Sequence, residues 1–199
     1  KVFHRIKSMI KFISIFFFLT LISFAPKLSA NTFDFINIGK KVWTIIEASK
    51  GTAEAEEVSV SALPQEVTSP FQMENFKQAD KMYRITYKNG FDENVVRIKY
   101  LLSYSYGGNH KGKGKYLSGV SIAAANIQIE HGFKVTSTVR VIDIKNIGTL
   151  EDPIASIKIK VKLEINGFFN YRERNMEFTI NGLGEVHKHL GLMVEDSKH

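Results

Sequence analysis

Cysteine is absent from the 199-residue chain, which excludes disulfide scaffolds, thiol nucleophiles and every Cys-based zinc or iron–sulfur site. The absence leaves the compartment open, because a domain large enough to bury its own core needs no bridges. A nucleophile elbow of the form G-x-S-x-G is also missing: Gly119-Val120-Ser121-Ile122-Ala123 ends in alanine. Beyond residue 30 the histidines are His110, His131, His187, His189 and His199, in expected loops, a turn and the C-terminal tail, and they provide no evident base for a Ser-His-Asp triad. No internal repeat of fixed period is present. What remains is the composition of an ordinary folded globule, 44% apolar and 24% charged.

Acidic residues are missing from the first thirty positions, which carry Lys1, Arg5, Lys7, Lys11 and Lys27. Setting those five aside turns a formal charge of +7 into 22 basic against 20 acidic residues, a net of +2. A near-neutral body gives no support to general nucleic-acid binding, which rests on neutralising phosphates. Phe12 to Ala25 is an uncharged apolar run after a basic opening, too short for a membrane span of ~20 residues and suited to a signal peptide. Leu28-Ser29-Ala30 ends in the small residue that signal peptidase prefers, although Leu28 is larger than is usual. Residues 1–30 are therefore expected to be a signal peptide, with Met9 a cleaner start than Lys1, so that either residues 1–8 read as an upstream mis-start or the chain reads as a fragment. The expected compartment is secreted or periplasmic.

From Asn31 the apolar spacing switches. Phe35, Ile38, Val42, Ile45 and Ile46 form a stripe that predicts an amphipathic helix over 31–51, with Trp43 at its margin. Beyond a small acidic linker the chain alternates. Tyr83, Ile85 and Tyr87 share one face, as do Val96, Ile98, Tyr100, Leu102, Tyr104 and Tyr106. Ala155 to Ile165 alternates apolar residues with Ser156, Lys158, Lys160, Lys162 and Glu164, one dry face and one wet. Asn89-Gly90 supplies a turn signal. No helical stretches separate these strands, so a doubly wound α/β fold is unsuited. The expectation is an all-β antiparallel β-sandwich of about seven to nine strands over residues 52–186, with the N-terminal helix before it and an exposed tail at 187–199.

Three local patterns bear on chemistry. Gly107 through Gly114 contains the spacing G-x-x-x-x-G-K, but Gly114 replaces the metal-binding Ser or Thr. A strand pattern follows where a P-loop needs a helix, so no nucleotide is expected. His187-Lys188-His189 places two imidazoles on one side of an extended chain without an evident third ligand, so no metal site is expected. Six tyrosines crowd residues 83–116 beside the Gly/Lys loop. Tyrosine joins an apolar body to a polar tip, suited to stacking on sugars or seating at headgroups. The expected binding set is Tyr104, Tyr106, His110, Lys111, Lys113, Lys115 and Tyr116, with no catalytic residue and no cofactor.

The segment from Tyr106-Gly107-Gly108 through Gly112-Lys113-Gly114-Lys115-Tyr116-Leu117, with Asn146-Ile147-Gly148-Thr149 further on, resembles exported β-rich proteins of Gram-negative bacteria that lack an assigned function. The resemblance covers residues 40–165 and implies a compartment and a fold, no activity. A leading amphipathic helix before a sandwich is also similar in layout to actinoporin-type pore-formers, an analogy of architecture alone. The leading expectation is an exported, non-enzymatic recognition or structural module that takes a glycan, an anionic lipid headgroup or an envelope component. A membrane-active protein using the N-terminal helix is the alternative, and a secreted hydrolase the third.

Overall fold

The computed structural model describes residues 35–39, 41–48, 58–168 and 170–197, with only the backbone described at 36–38 and 190–197. Residues 1–30, where a signal peptide is expected, lie outside the described residues. Among the described residues ten strands form two antiparallel sheets. They are β1 (Ile36–Gly39), β2 (Val42–Ala48), β3 (Val60–Leu63), β4 (Lys77–Lys88), β5 (Asn94–His110), β6 (Lys113–Ile129), β7 (Lys134–Asn146), β8 (Ala155–Asn166), β9 (Asn170–Asn181) and β10 (Val186–Ser197). Sheet A runs β1-β3-β6-β5-β4 and sheet B runs β10-β9-β8-β7-β2. The sandwich expected from the alternating patterns is thus the observed architecture.

The alternation places the core directly. Val96, Ile98, Tyr100, Leu102 and Tyr104 of β5 are buried, as are Ile157, Ile159, Val161, Leu163 and Ile165 of β8. The two inner faces meet through Tyr83 and Phe178, whose ring centroids lie 4.7 Å apart. They are also tied by a buried hydrogen bond, in which Tyr100 Oη donates to Ser137 Oγ at 3.1 Å. Each large side chain buried here contributes about 1.5–3 kcal/mol. Deleting one partner of the buried bond would leave the other unsatisfied, at about 1–3 kcal/mol.

Two segments depart from expectation. The helix expected over 31–51 is not observed where the chain is described: Ile36–Gly39 and Val42–Ala48 are strands, paired with β3 and β7. The helical reading came from a β-bulge. The β2–β7 register shifts between Thr44 and Ile46, so Trp43, Ile45, Ile46 and Ala48 are all buried. Two runs of period two, slipped by one residue, imitate the spacing of a helix face. β-branched Val42, Thr44, Ile45 and Ile46 also suit a strand. Residues 31–34, 40 and 49–51 lie outside the described residues.

Of the tail expected at 187–199, residues 187–197 instead belong to β10, paired with β9 from Val186↔Ile180 to Ser197↔Asn170, and 198–199 lie outside the described residues. Its sequence alternates weakly and contains Gly191, so pairing along β9 decides its conformation. These segments raise the strand number above the seven to nine expected.

Candidate functional site

One end of the sandwich gathers the β5–β6 hairpin, the β7–β8 and β9–β10 turns and the segment leading into β4. The Gly/Lys stretch expected as a loop is mostly strand: β5 continues to His110 and β6 begins at Lys113. It is pinned on both sides. Glu74 and Asn109 exchange backbone hydrogen bonds at 3.0 and 3.1 Å. On the opposite side Asp152 Oδ1 accepts from Gly114 N at 2.9 Å, and Lys115 N donates to Pro153 O at 2.8 Å. Gly114 has φ +82°, and the ring of Tyr116 occupies the space a Cβ would need. The strand after Lys113 also leaves no helix N-terminus to hold a nucleotide phosphate.

The β9–β10 turn is built from Asn181. Its Oδ1 accepts from Leu183 N at 3.0 Å and from Glu185 N at 3.1 Å, and its Nδ2 donates to Glu185 Oε2 at 2.7 Å. Tyr104, buried in β5, donates from its hydroxyl to Gly184 O at 3.0 Å. The ring of Tyr106 lies against Gly184, whose φ of +86° and crowded Cβ position both demand glycine. The turn thus holds Leu183, about half exposed, beside Tyr106.

Between these parts lies a shallow cavity of about 340 Å³, bordered by Asn75, Lys77, Tyr106, Asn109, Lys115 and Leu183. Among the described residues no carboxylate borders it. Two ammonium groups, two carboxamides, an aromatic face and one aliphatic side chain offer charge, hydrogen bonds and a stacking platform together.

The expected binding residues divide accordingly. Tyr106 and Lys115 border the cavity. Tyr104 belongs to the core and supports the turn beneath it. Tyr116 is buried with Leu63, Val67 and Met73, its ring 6.0 Å from Phe35, so it is no contact surface. Burial, then the charges of Glu66 and Asp152, pushes the Tyr116 hydroxyl up to about 12. His110 is half-buried, its Nε2 3.6 Å from Glu66 Oε1. Lys111 and Lys113 stand exposed at the hairpin tip, outside the cavity lining. Asn75, Lys77, Asn109 and Leu183 complete the cavity and were missed by sequence reasoning. Their only local signals were the turn chemistry of Asn75, at φ +62°, and of the Asn-Gly-Leu-Gly run.

Comparison with protein-family models, with curated proteins and with solved structures finds no match.

A carboxylate pair does meet elsewhere. Glu164 of β8 lies directly opposite Glu173 of β9 on the outer face of sheet B. Lys162 Nζ reaches both, at 2.8 and 3.1 Å, and Tyr171 Oη donates to Glu164 Oε1 at 2.8 Å. Hydrogen bonds from Lys162 and then Tyr171 hold Glu164 below the usual carboxylate range. The Asn175 amide, then Lys162, does the same for Glu173. Both groups are ionised, so neither is a poised proton donor of the kind a glycosidase needs.

Proposed function

We propose that the protein is an exported, non-enzymatic recognition module whose ligand is an acidic saccharide bound in the end cavity. The observation that carries this reading is the joining of Tyr106 to Lys77 and Lys115 around a cavity without carboxylates. An aromatic face takes the apolar side of a sugar ring, the carboxamides of Asn75 and Asn109 meet hydroxyls, and the ammonium groups meet a carboxylate. The cavity is held by a hairpin and turns whose backbone is tied at Glu74/Asn109, Lys115/Pro153 and Gly182/Ala155, an arrangement that lowers the ordering cost of binding.

The alternative readings have less support. Trp43, which an interfacial helix would place at the headgroups, is buried in β2. The carboxylate pair Glu164/Glu173 is held ionised by Lys162 and lacks a proton to give. Export is supported by the basic and apolar pattern of residues 7–30. Mass spectrometry of the cell-derived protein should find a mature N-terminus near Asn31; an intact leader on membrane-bound material would contradict it.

A glycan array tests the ligand class. Sugars carrying carboxylates should be retained, Tyr106→Ala and Lys77→Gln/Lys115→Gln should each weaken retention at least tenfold, and Lys111→Ala/Lys113→Ala should leave it unchanged. Retention indifferent to Tyr106→Ala, or none of any acidic sugar, would refute the reading.

A further inference from the structure

We propose that the outer face of sheet A, where β4, β5 and β6 lie side by side, is a second binding surface, for a glycan chain bearing phosphate or sulfate groups. The strand register builds it. Arg84 lies directly opposite Lys99, which lies opposite Asn126; one step along, Thr86 lies opposite Arg97, which lies opposite Gln128. Neighbouring strands are about 4.8 Å apart and residues two positions apart on a strand about 6.7 Å. Arg84, Arg97 and Lys99 therefore spring from a patch roughly 10 Å across. Like charges directly opposite on adjacent strands destabilise a sheet. No ion pair to any of the three exists among the described residues.

The available carboxylates are engaged or displaced. Asp92 pairs with Lys88 at 2.9 Å, and Glu93 accepts from Asn89 at 2.9 Å. Asp80 lies four residues from Arg84 along β4, opposite Ser103. Glu130 lies two residues beyond Gln128, past the end of β6, and makes no ion pair with Arg97 among the described residues. Among the described residues the one side-chain hydrogen bond within the patch runs from Arg97 Nη1 to Gln128 Oε1, at 3.3 Å, and leaves the rest of that guanidinium to an incoming group. The three cations border an open groove of about 380 Å³ together with Asn94, Asn126 and Gln128.

The chemistry selects the ligand. Two guanidinium forks match the paired oxygens of a tetrahedral oxyanion, and the neighbouring ammonium adds charge. The groove is open to water, where a single small ion gains little, so a chain that carries several anionic groups and releases counterions on binding suits it better. Carboxamides alongside meet sugar hydroxyls. The net charge of the body gave no such indication, because +2 over residues 31–199 averages away a local cluster. The surface is also separate from the end cavity: Lys77 and Arg84 are seven residues apart on β4, roughly 23 Å.

Titration of the purified protein with a heparin oligosaccharide and with a phosphomannan oligosaccharide, at 50 to 200 mM NaCl, tests this. At least one should bind, with affinity falling as salt rises at a log–log slope of about −2, as neutralisation by three cations implies. Binding of heparin alone assigns sulfate; binding of phosphomannan alone assigns phosphate. Arg84→Gln/Arg97→Gln/Lys99→Gln should lose at least tenfold in affinity and most of the salt slope, with its melting temperature retained. Lys111→Gln/Lys113→Gln should bind as the wild type does, and so should Tyr106→Ala, which separates this surface from the saccharide cavity. Binding of neither polymer, an unchanged affinity and slope in the folded triple variant, or tighter binding of single-stranded DNA than of either glycan would overturn the proposal.

Discussion

On the outer face of sheet B, Lys158 is answered by Glu177 at 2.6 Å and Lys162 by Glu164 and Glu173 together, and Lys160, although opposite Arg140 on β7, has Glu177 opposite it on β9. On the outer face of sheet A, Arg84 looks across at Lys99 with Arg97 beside them, and carboxamides stand where sheet B has glutamates. The strands, the alternation and the solvent are the same on both faces. The difference shows that a row of cations on a wet strand face has no single meaning. Where the cross-strand partner is acidic the row is part of the fold. Where it is basic or neutral, as around Arg84 and Lys99, the charge has no ion-pair partner among the described residues.

Several experiments break or sharpen that contrast. The largest effect should come from removing both acids of sheet B. Glu164→Gln/Glu173→Gln deprives Lys162 of its partners and Tyr171 of its acceptors, and should cost about 1 kcal/mol of stability, read by chemical denaturation. It should also create on sheet B a salt-dependent affinity for heparin, measurable in an Arg84→Gln/Arg97→Gln/Lys99→Gln background.

The pH dependence should be next in size. Both glutamates are held below their ordinary range in the folded state, so their contribution is complete above the unfolded value near ~4.3 and disappears as pH falls through the lower folded values. Stability should decline between about pH 5 and pH 3. The decline should be shallower in Glu164→Gln/Glu173→Gln; an identical acid limb would mean that the network contributes nothing. The smallest effect should be that of Glu177→Gln, which removes one exposed pair with Lys158 and should change stability by less than about 1 kcal/mol.

Much of the sandwich was legible because its inner faces obey period two over long runs, as in β5 from Val96 to Tyr106 and in β8. The pieces that were illegible each have a local cause. The bulge at Thr44/Ile46 turned a strand into an apparent helix stripe. β10 carries little pattern of its own and is specified by β9.

The candidate site was half legible. Tyr106 and Lys115 were visible as a tyrosine and a lysine near glycines, but the same description fits Tyr104 and Tyr116, which fill the core. Only the register distinguishes them. The cationic patch was not legible, since Arg84 and Lys99 are joined by the pairing across the β4–β5 turn. That turn is wider than the Asn89-Gly90 signal suggests. Asn89 N donates to Glu93 O at 2.9 Å, Asn89 Oδ1 accepts from Phe91 N and Glu93 N, and Asp92 sits at φ +66°. A two-residue turn would have paired Lys88 with Phe91 and set Lys99 opposite Asp80, so Arg84 and Lys99 would not have faced each other.

The central claim, that sheet A keeps its cations for a ligand at a cost to the fold, is tested most directly by one variant measured twice. Arg84→Glu supplies Lys99 with the acidic cross-strand partner that sheet B already has. Its stability and its affinity for the phosphate- or sulfate-bearing glycan bound by the wild type should move in opposite directions. Stability should rise by about 0.5–1 kcal/mol, while affinity should fall at least tenfold. A variant that is no more stable than the wild type and binds that glycan equally well would contradict the account.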